Sequence, residues 1–168
     1  MVPLTFTRRL WYSLSRNSTS WRKIMQTQVR WAGNAAFIGQ SSSGHTVVMD
    51  GPPEGGGKNL GTRPMEMLLL GMAACSAYDV VSILQKSRED LQGCDVTVTS
   101  TRAKDIPRVF TEIHLHFCIT GNGIKDKNVE RAIKLSAEKY CSASIMLGAM
   151  AKITHDFEIR EGSVSDPD

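Results

Sequence analysis

The chain has 168 residues, enough for one domain with its own core, and four cysteines, too few for a disulfide scaffold and in keeping with a reducing compartment. The formal net charge of +3 is unevenly placed: Arg8, Arg9, Arg16, Arg22 and Lys23 all precede Met25, and the first acidic residue is Asp50. Beyond those five cations stand 15 basic against 17 acidic residues, which excludes the electrostatic footprint of a nucleic-acid binder.

Residues 1–24 contain no acid, are rich in Arg and Ser, and carry Leu4, Phe6, Leu10, Trp11, Leu14 and Trp21 between the cations. That composition predicts a mitochondrial transit peptide; the alternative is an inert leader before an internal start at Met25, on a cytoplasmic protein. A secretory signal is excluded, because no apolar stretch of sufficient length follows the basic residues. The expected organisation is therefore a leader over 1–24, a folded domain over 25–162 and a polar tail over 163–168.

After the leader, Gln28–Trp31 and Ala36–Gly39 read as short strands joined at the turn pair Gly33-Asn34, and His45–Met49 as a third, in an antiparallel meander. Gly51–Gly61 is rich in Gly and Pro and reads as a mobile loop. Its Gly-Gly-Gly-Lys58 run lacks the spacing and the Ser or Thr of a phosphate loop, so that reading is rejected. Thr62 is expected to cap a helix with Pro64 in its first turn, running to about Leu91 and apolar on nearly every side until Leu84. Its greasiest run, Met67 to Ala77, lies between Glu66 and Asp79 and falls short of the roughly 20 residues a bilayer needs, so no membrane partner is expected.

Cys94–Ser100 alternates with period two, and Val109–Ile119 places Ile113, Leu115, Phe117 and Ile119 on one face and Glu112, His114, His116 and Cys118 on the other. His114, His116 and Cys118 could hold a soft metal, but a solvated row is the commoner outcome and no fourth ligand is evident; neither metal nor cofactor is expected. Asp126 begins a second long helix, expected to run to about Lys152, and Phe157–Ile159 a last strand. The order β-β-β-α-β-β-α-β gives an α+β fold with a largely antiparallel sheet and two long buried helices.

Each expected helix holds one cysteine, Cys75 and Cys141, and neither belongs to a Cys-x-x-Cys pair. Two facing helices could bring these thiols together, which is the minimum equipment for peroxide reduction. Free cysteines also pack as small hydrophobes, and from the residues alone both readings stand. Asp79, four residues after Cys75 on the same helix face, would raise the thiol pKa, so Arg63, Arg108 or Lys139 would have to supply positive charge. Tyr78 and Tyr140 are expected to line the space between the helices, and Cys94 to be structural.

The string Thr62-Arg63-Pro64-Met65-Glu66-Met67-Leu68, with Ala74-Cys75-Ser76-Ala77 and Glu138-Lys139-Tyr140-Cys141-Ser142, resembles the OsmC/Ohr family of osmotically inducible and organic hydroperoxide resistance proteins. The resemblance spans about residues 26–161. It implies an intertwined homodimer whose long helices are enclosed by sheets. It further implies a thiol peroxidase acting on organic hydroperoxides, with Cys75 peroxidatic, Cys141 resolving, and a lipoylated protein or other dithiol as reductant. Glu66 and Arg63 are the candidates for the family's catalytic Glu and Arg. In the family's peroxidases a Glu directly follows the helix-starting Pro; here that place is Met65, and no matching Arg lies between Trp31 and Gly57. The other function open to the fold is a non-catalytic dimeric binder of small molecules.

Overall fold

A computed structural model of the protein describes residues 24–162; residues 1–23 and 163–168, and with them the expected leader but for Ile24 and the polar tail, lie outside the described residues. The chain forms two compact units, one ending at Gly61 and one beginning at Thr62.

The first unit is the expected meander of β1 (Gln28–Gly33), β2 (Ala36–Gln40) and β3 (Thr46–Met49), paired antiparallel in that order. Gly33 (φ +100°) and Asn34 (φ +47°) supply the left-handed backbone that a tight hairpin turn requires. Gly51–Gly61 was expected to be mobile, and here the structure differs. The buried carboxylate of Asp50 accepts the backbone N–H groups of Gly51 (2.8 Å), Lys58 (2.9 Å) and Leu60 (3.1 Å), which pins the loop. Gly57 lies so close to the Gly51 carbonyl that any side chain there would clash. Gly39 is the one buried residue of the three strands, while Val29, Trp31, Phe37, Ile38 and Val48 are exposed.

The second unit contains α1 (Pro64–Lys86), β4 (Asp90–Arg102), β5 (Phe110–Asn122), α2 (Asp126–Leu135), a π-helical turn (Ser136–Tyr140), α3 (Ser142–Gly148) and β6 (Lys152–Glu161). Its sheet runs β4-β5-β6. The β4–β5 pair is antiparallel, whereas β5 and β6 are parallel from Glu112↔Lys152 to Gly121↔Glu161. The α+β class holds and the pairing is largely antiparallel as expected; the strands divide between two sheets, and the β5–β6 pair is parallel. The cause is the helical segment between β5 and β6, which returns the chain to the same end of the sheet. The period-two residues Ile113, Leu115, Phe117 and Ile119 are fully buried in one cluster with Met72, Val80 and Leu84 of α1 and Val129, Ala132 and Ile133 of α2. Each large side chain there stabilises the fold by about 1.5–3 kcal/mol through burial.

Four features of the helices differ from the sequence reading. Arg63, not Thr62, is the N-cap of α1; the Glu66 carboxylate accepts the Arg63 backbone N–H (2.9 Å), and the Thr62 hydroxyl (3.2 Å) donates to Glu66 instead of capping. The helix ends at Lys86 because Arg88 turns left-handed (φ +60°) and β4 begins at Asp90, earlier than the alternation at Cys94 suggested. By length and composition α1 could cross a bilayer, yet Met72, Ala73, Ser76, Val80 and Leu84 are buried as in a core helix. Its opposite side is not covered: Leu68 and Leu70 are about half exposed and Tyr78 is 77 % exposed. Finally, the second long helix is broken. The π-helical turn ends in an extended Cys141 (φ −74°, ψ 97°), whose backbone N–H reaches the carbonyl of Ser136 (2.9 Å), and α3 starts afresh after it.

Candidate functional site

Cys75 lies in the middle of α1, one turn before Asp79, and Cys141 is the N-cap of α3. The break in the second helix aims Cys141 at α1, so the two sulfurs and a carboxylate oxygen of Asp79 all lie within 4.8 Å of one another. Cys141 is fully buried, while Cys75 retains partial access to solvent. The Cys141 sulfur accepts the backbone N–H (3.4 Å) and hydroxyl (3.2 Å) of Ser144. The Ser144 hydroxyl also meets that of Ser76 (3.2 Å), joining α3 to α1 through a buried polar pair. On the other side, the Ser136 hydroxyl donates to Asp79 (3.1 Å).

These contacts make the two thiols unequal. Burial opposes ionisation of Cys141, but hydrogen bonds from Cys75, Ser144 and Ser76 outweigh it and hold this thiol below its ordinary range. Burial pushes the Cys75 thiol up. The hydrogen bond it gives to Cys141 and the charges of Cys141 and Asp79 add to this, against one backbone N–H from Ala143. The two thiols share a proton, and their contacts favour the charged form at Cys141 and disfavour it at Cys75. Cys94 faces the core, and burial pushes it up to about 11, as suits a structural thiol.

The structure does not bring Arg63 and Glu66 to this pair. Their side chains pair with each other (2.9 Å) at the half-exposed start of α1. Glu66 stands nine residues before Cys75, about 14 Å along the helix axis. Lys139 lies over the Tyr140 ring, 5.3 Å from its centre, and the backbone carbonyl of Arg108 accepts from Arg102. Among the described residues no cation pairs with Asp79. Hydrogen bonds, not an ion-paired cation, thus lower the Cys141 thiol.

Tyr78 and Tyr140 point largely to solvent, although both border a surface pocket of about 460 Å³ shared with Asp79, Lys86 and Arg131. His114 and His116 share an outer sheet face as expected, but there Asp156 bridges them (3.3 and 2.6 Å) and Cys118 is buried beside Glu158. Sequence reasoning missed Ser76, Ser136 and Ser144. Ser144 had a signal, a hydroxyl three residues after Cys141, which is the spacing of an N-cap contact.

The OsmC family, described as OsmC-like protein, matches residues 55–156. Protein YhfA of Escherichia coli K12 is 50 % identical over 138 residues, 80 % of this chain and 98 % of its own. A hypothetical protein of Aquifex aeolicus VF5 shares the fold with a TM-score of 0.74 at 25 % identity, over 84 % of this chain and all of that one. An organic hydroperoxide resistance protein OsmC of Legionella pneumophila, 16 % identical, superposes with a TM-score of 0.64 over 83 % of this chain and 99 % of its own.

Proposed function

The chain belongs to the OsmC family, and on that premise we propose that it is a thiol-dependent peroxidase that reduces organic hydroperoxides. The observation that carries this reading is the meeting of Cys75 and Cys141 across 66 residues, one sulfur reachable and the other buried. A lone structural cysteine needs no second thiol at that distance.

In the proposed cycle, Cys141 takes the proton from Cys75, whose thiolate attacks the distal oxygen of the hydroperoxide. The O–O bond breaks, the alkoxide leaves and is protonated to the alcohol, and Cys75 becomes a sulfenic acid. Cys141 then attacks that sulfur, the S–O bond breaks, and water departs as the disulfide forms. Closure requires the two Cα atoms to lie within about 7 Å. A dithiol, such as a lipoylated protein, returns both sulfurs to thiols. Arg63 and Glu66 enter this cycle only if a second copy or a rearrangement delivers them, so turnover is expected to be slow for want of a preorganised cation at the leaving oxygen.

The working unit in this proposal is a homodimer. The basic, acid-free leader supports a mitochondrial address; import into isolated mitochondria with removal of the leader tests it, and exclusion speaks for the cytoplasm. The catalytic claim is tested by cumene hydroperoxide consumption with dihydrolipoamide. Cys75→Ser is expected to lose turnover altogether. If the wild type is no faster than Cys75→Ser, the enzyme reading fails and a dimeric small-molecule binder takes its place.

A further inference from the structure

Two thiols and a carboxylate converge within 4.8 Å at the foot of the π-helical turn, and nothing in the peroxide cycle uses the carboxylate. Asp79 is part-buried, and among the described residues its one hydrogen bond comes from the Ser136 hydroxyl. No Lys, Arg or His of the described residues lies within ion-pair distance of it. The carboxylate and the two sulfurs together offer three donor atoms to a positive ion.

We propose that Cys75, Cys141 and Asp79 form a binding site for a soft divalent cation such as zinc, taken up by the reduced protein and expelled when the thiols are oxidised. Two sulfurs and one oxygen favour zinc or cadmium over magnesium or calcium, and three protein ligands leave a fourth position for water. Tetrahedral zinc, with bonds of about 2.3 Å to sulfur and about 2.1 Å to oxygen, sets S···S near 3.8 Å and S···O near 3.6 Å. Starting from 4.8 Å or less, the three groups need to close by at most about 1.2 Å, within reach of side-chain rotation.

The surroundings already orient the ligands. Ser136 holds one carboxylate oxygen of Asp79, and the Ser144 N–H and hydroxyl fix the Cys141 sulfur. Asp79 also lines the surface pocket of about 460 Å³, and Cys75 retains partial access to solvent. Binding displaces the proton shared by the thiols. In the reverse step, one hydroperoxide and two protons convert the two metal-bound thiolates into a disulfide, an alcohol, water and the free cation. The site itself stands on geometry; only its expulsion by hydroperoxide rests on the proposed peroxidase reading.

The test is anaerobic titration of the reduced full-length chain with cadmium, followed by the thiolate-to-metal charge-transfer band, then displacement by zinc. Saturation at one cadmium per chain is expected, with a band of two-thiolate intensity, displaced by zinc and not by a hundredfold excess of magnesium. Asp79→Asn is expected to weaken binding at least tenfold, and a Cys94→Ser, Cys118→Ser protein to bind unchanged. The wild type oxidised with diamide is expected to bind none, a comparison that needs no altered chain. A one-thiolate band, failure to saturate, or full affinity in Asp79→Asn overturns the site. Hydroperoxide consumption measured with chelator present is read separately. Turnover without metal binding sinks this site alone, and metal binding without turnover sinks the peroxidase reading while the site stands.

Discussion

At the scale of residues, the chemistry turns on an asymmetry between two thiols. Cys141 is buried and receives hydrogen bonds, while Cys75 is partly accessible and holds the proton. Raising the pH therefore removes one proton from the pair below the ordinary thiol value of 9.0, and the second only above it. The rate of the first oxidation at Cys75 is expected to climb with pH in two steps, the second as Cys75 itself ionises above that value. Cys141→Ser takes away the internal base, together with the hydrogen bond and charge of Cys141 that raise the Cys75 thiol alongside burial. The rise of its single oxidation with pH is expected to be a single step, displaced from that of the wild type. The product trapped at Cys75 should be a sulfenic or sulfinic acid. Stopped-flow oxidation across pH reads both quantities; identical profiles for the two proteins would contradict the shared-proton account.

At the scale of elements, the helix break at Cys141 sets the site. A straight helix through Ser136–Tyr140 would turn Cys141 about 100° away for each residue of altered register. The π-helical turn absorbs that offset, and such turns are commonly found at functional sites. Deleting Lys139, an exposed residue of the turn, is expected to restore the register, keep the far-ultraviolet helical signal and abolish the Cys75–Cys141 disulfide. A deletion protein that forms the disulfide as readily as the wild type would refute this. The period-two cores of β4 and β5, the meander and both cysteine helices were legible in the sequence, because alternation and helix-forming runs report burial directly. The helix break was not legible: Ala137-Glu138-Lys139-Tyr140-Cys141 contains neither Gly nor Pro, so only tertiary packing reveals it. The parallel β5–β6 pair was hidden for a similar reason, since strand direction is a property of the crossover and not of either strand. The pinning of the Gly51–Gly61 loop depends on one carboxylate, Asp50, whose three backbone contacts span ten residues.

At the scale of the whole molecule, each unit leaves apolar surface uncovered. The meander exposes Val29, Trp31, Phe37, Ile38 and Val48, too many for a three-stranded sheet to be stable alone. In the second unit Leu68, Leu70 and Ile145 are about half exposed, and Met146 and Met150 more so. A second copy of the chain is the proposed cover, and light scattering is expected to show a dimer at micromolar concentration; a folded monomer there would remove that proposal. The central claim, that Cys75 and Cys141 are a working redox pair, is tested most directly by mass spectrometry of the reduced full-length protein after one equivalent of cumene hydroperoxide. The account predicts loss of two hydrogens per chain, a peptide map with one Cys75–Cys141 disulfide, and Cys94 and Cys118 still as thiols. Recovery of all four cysteines as thiols, or a disulfide elsewhere, would contradict it.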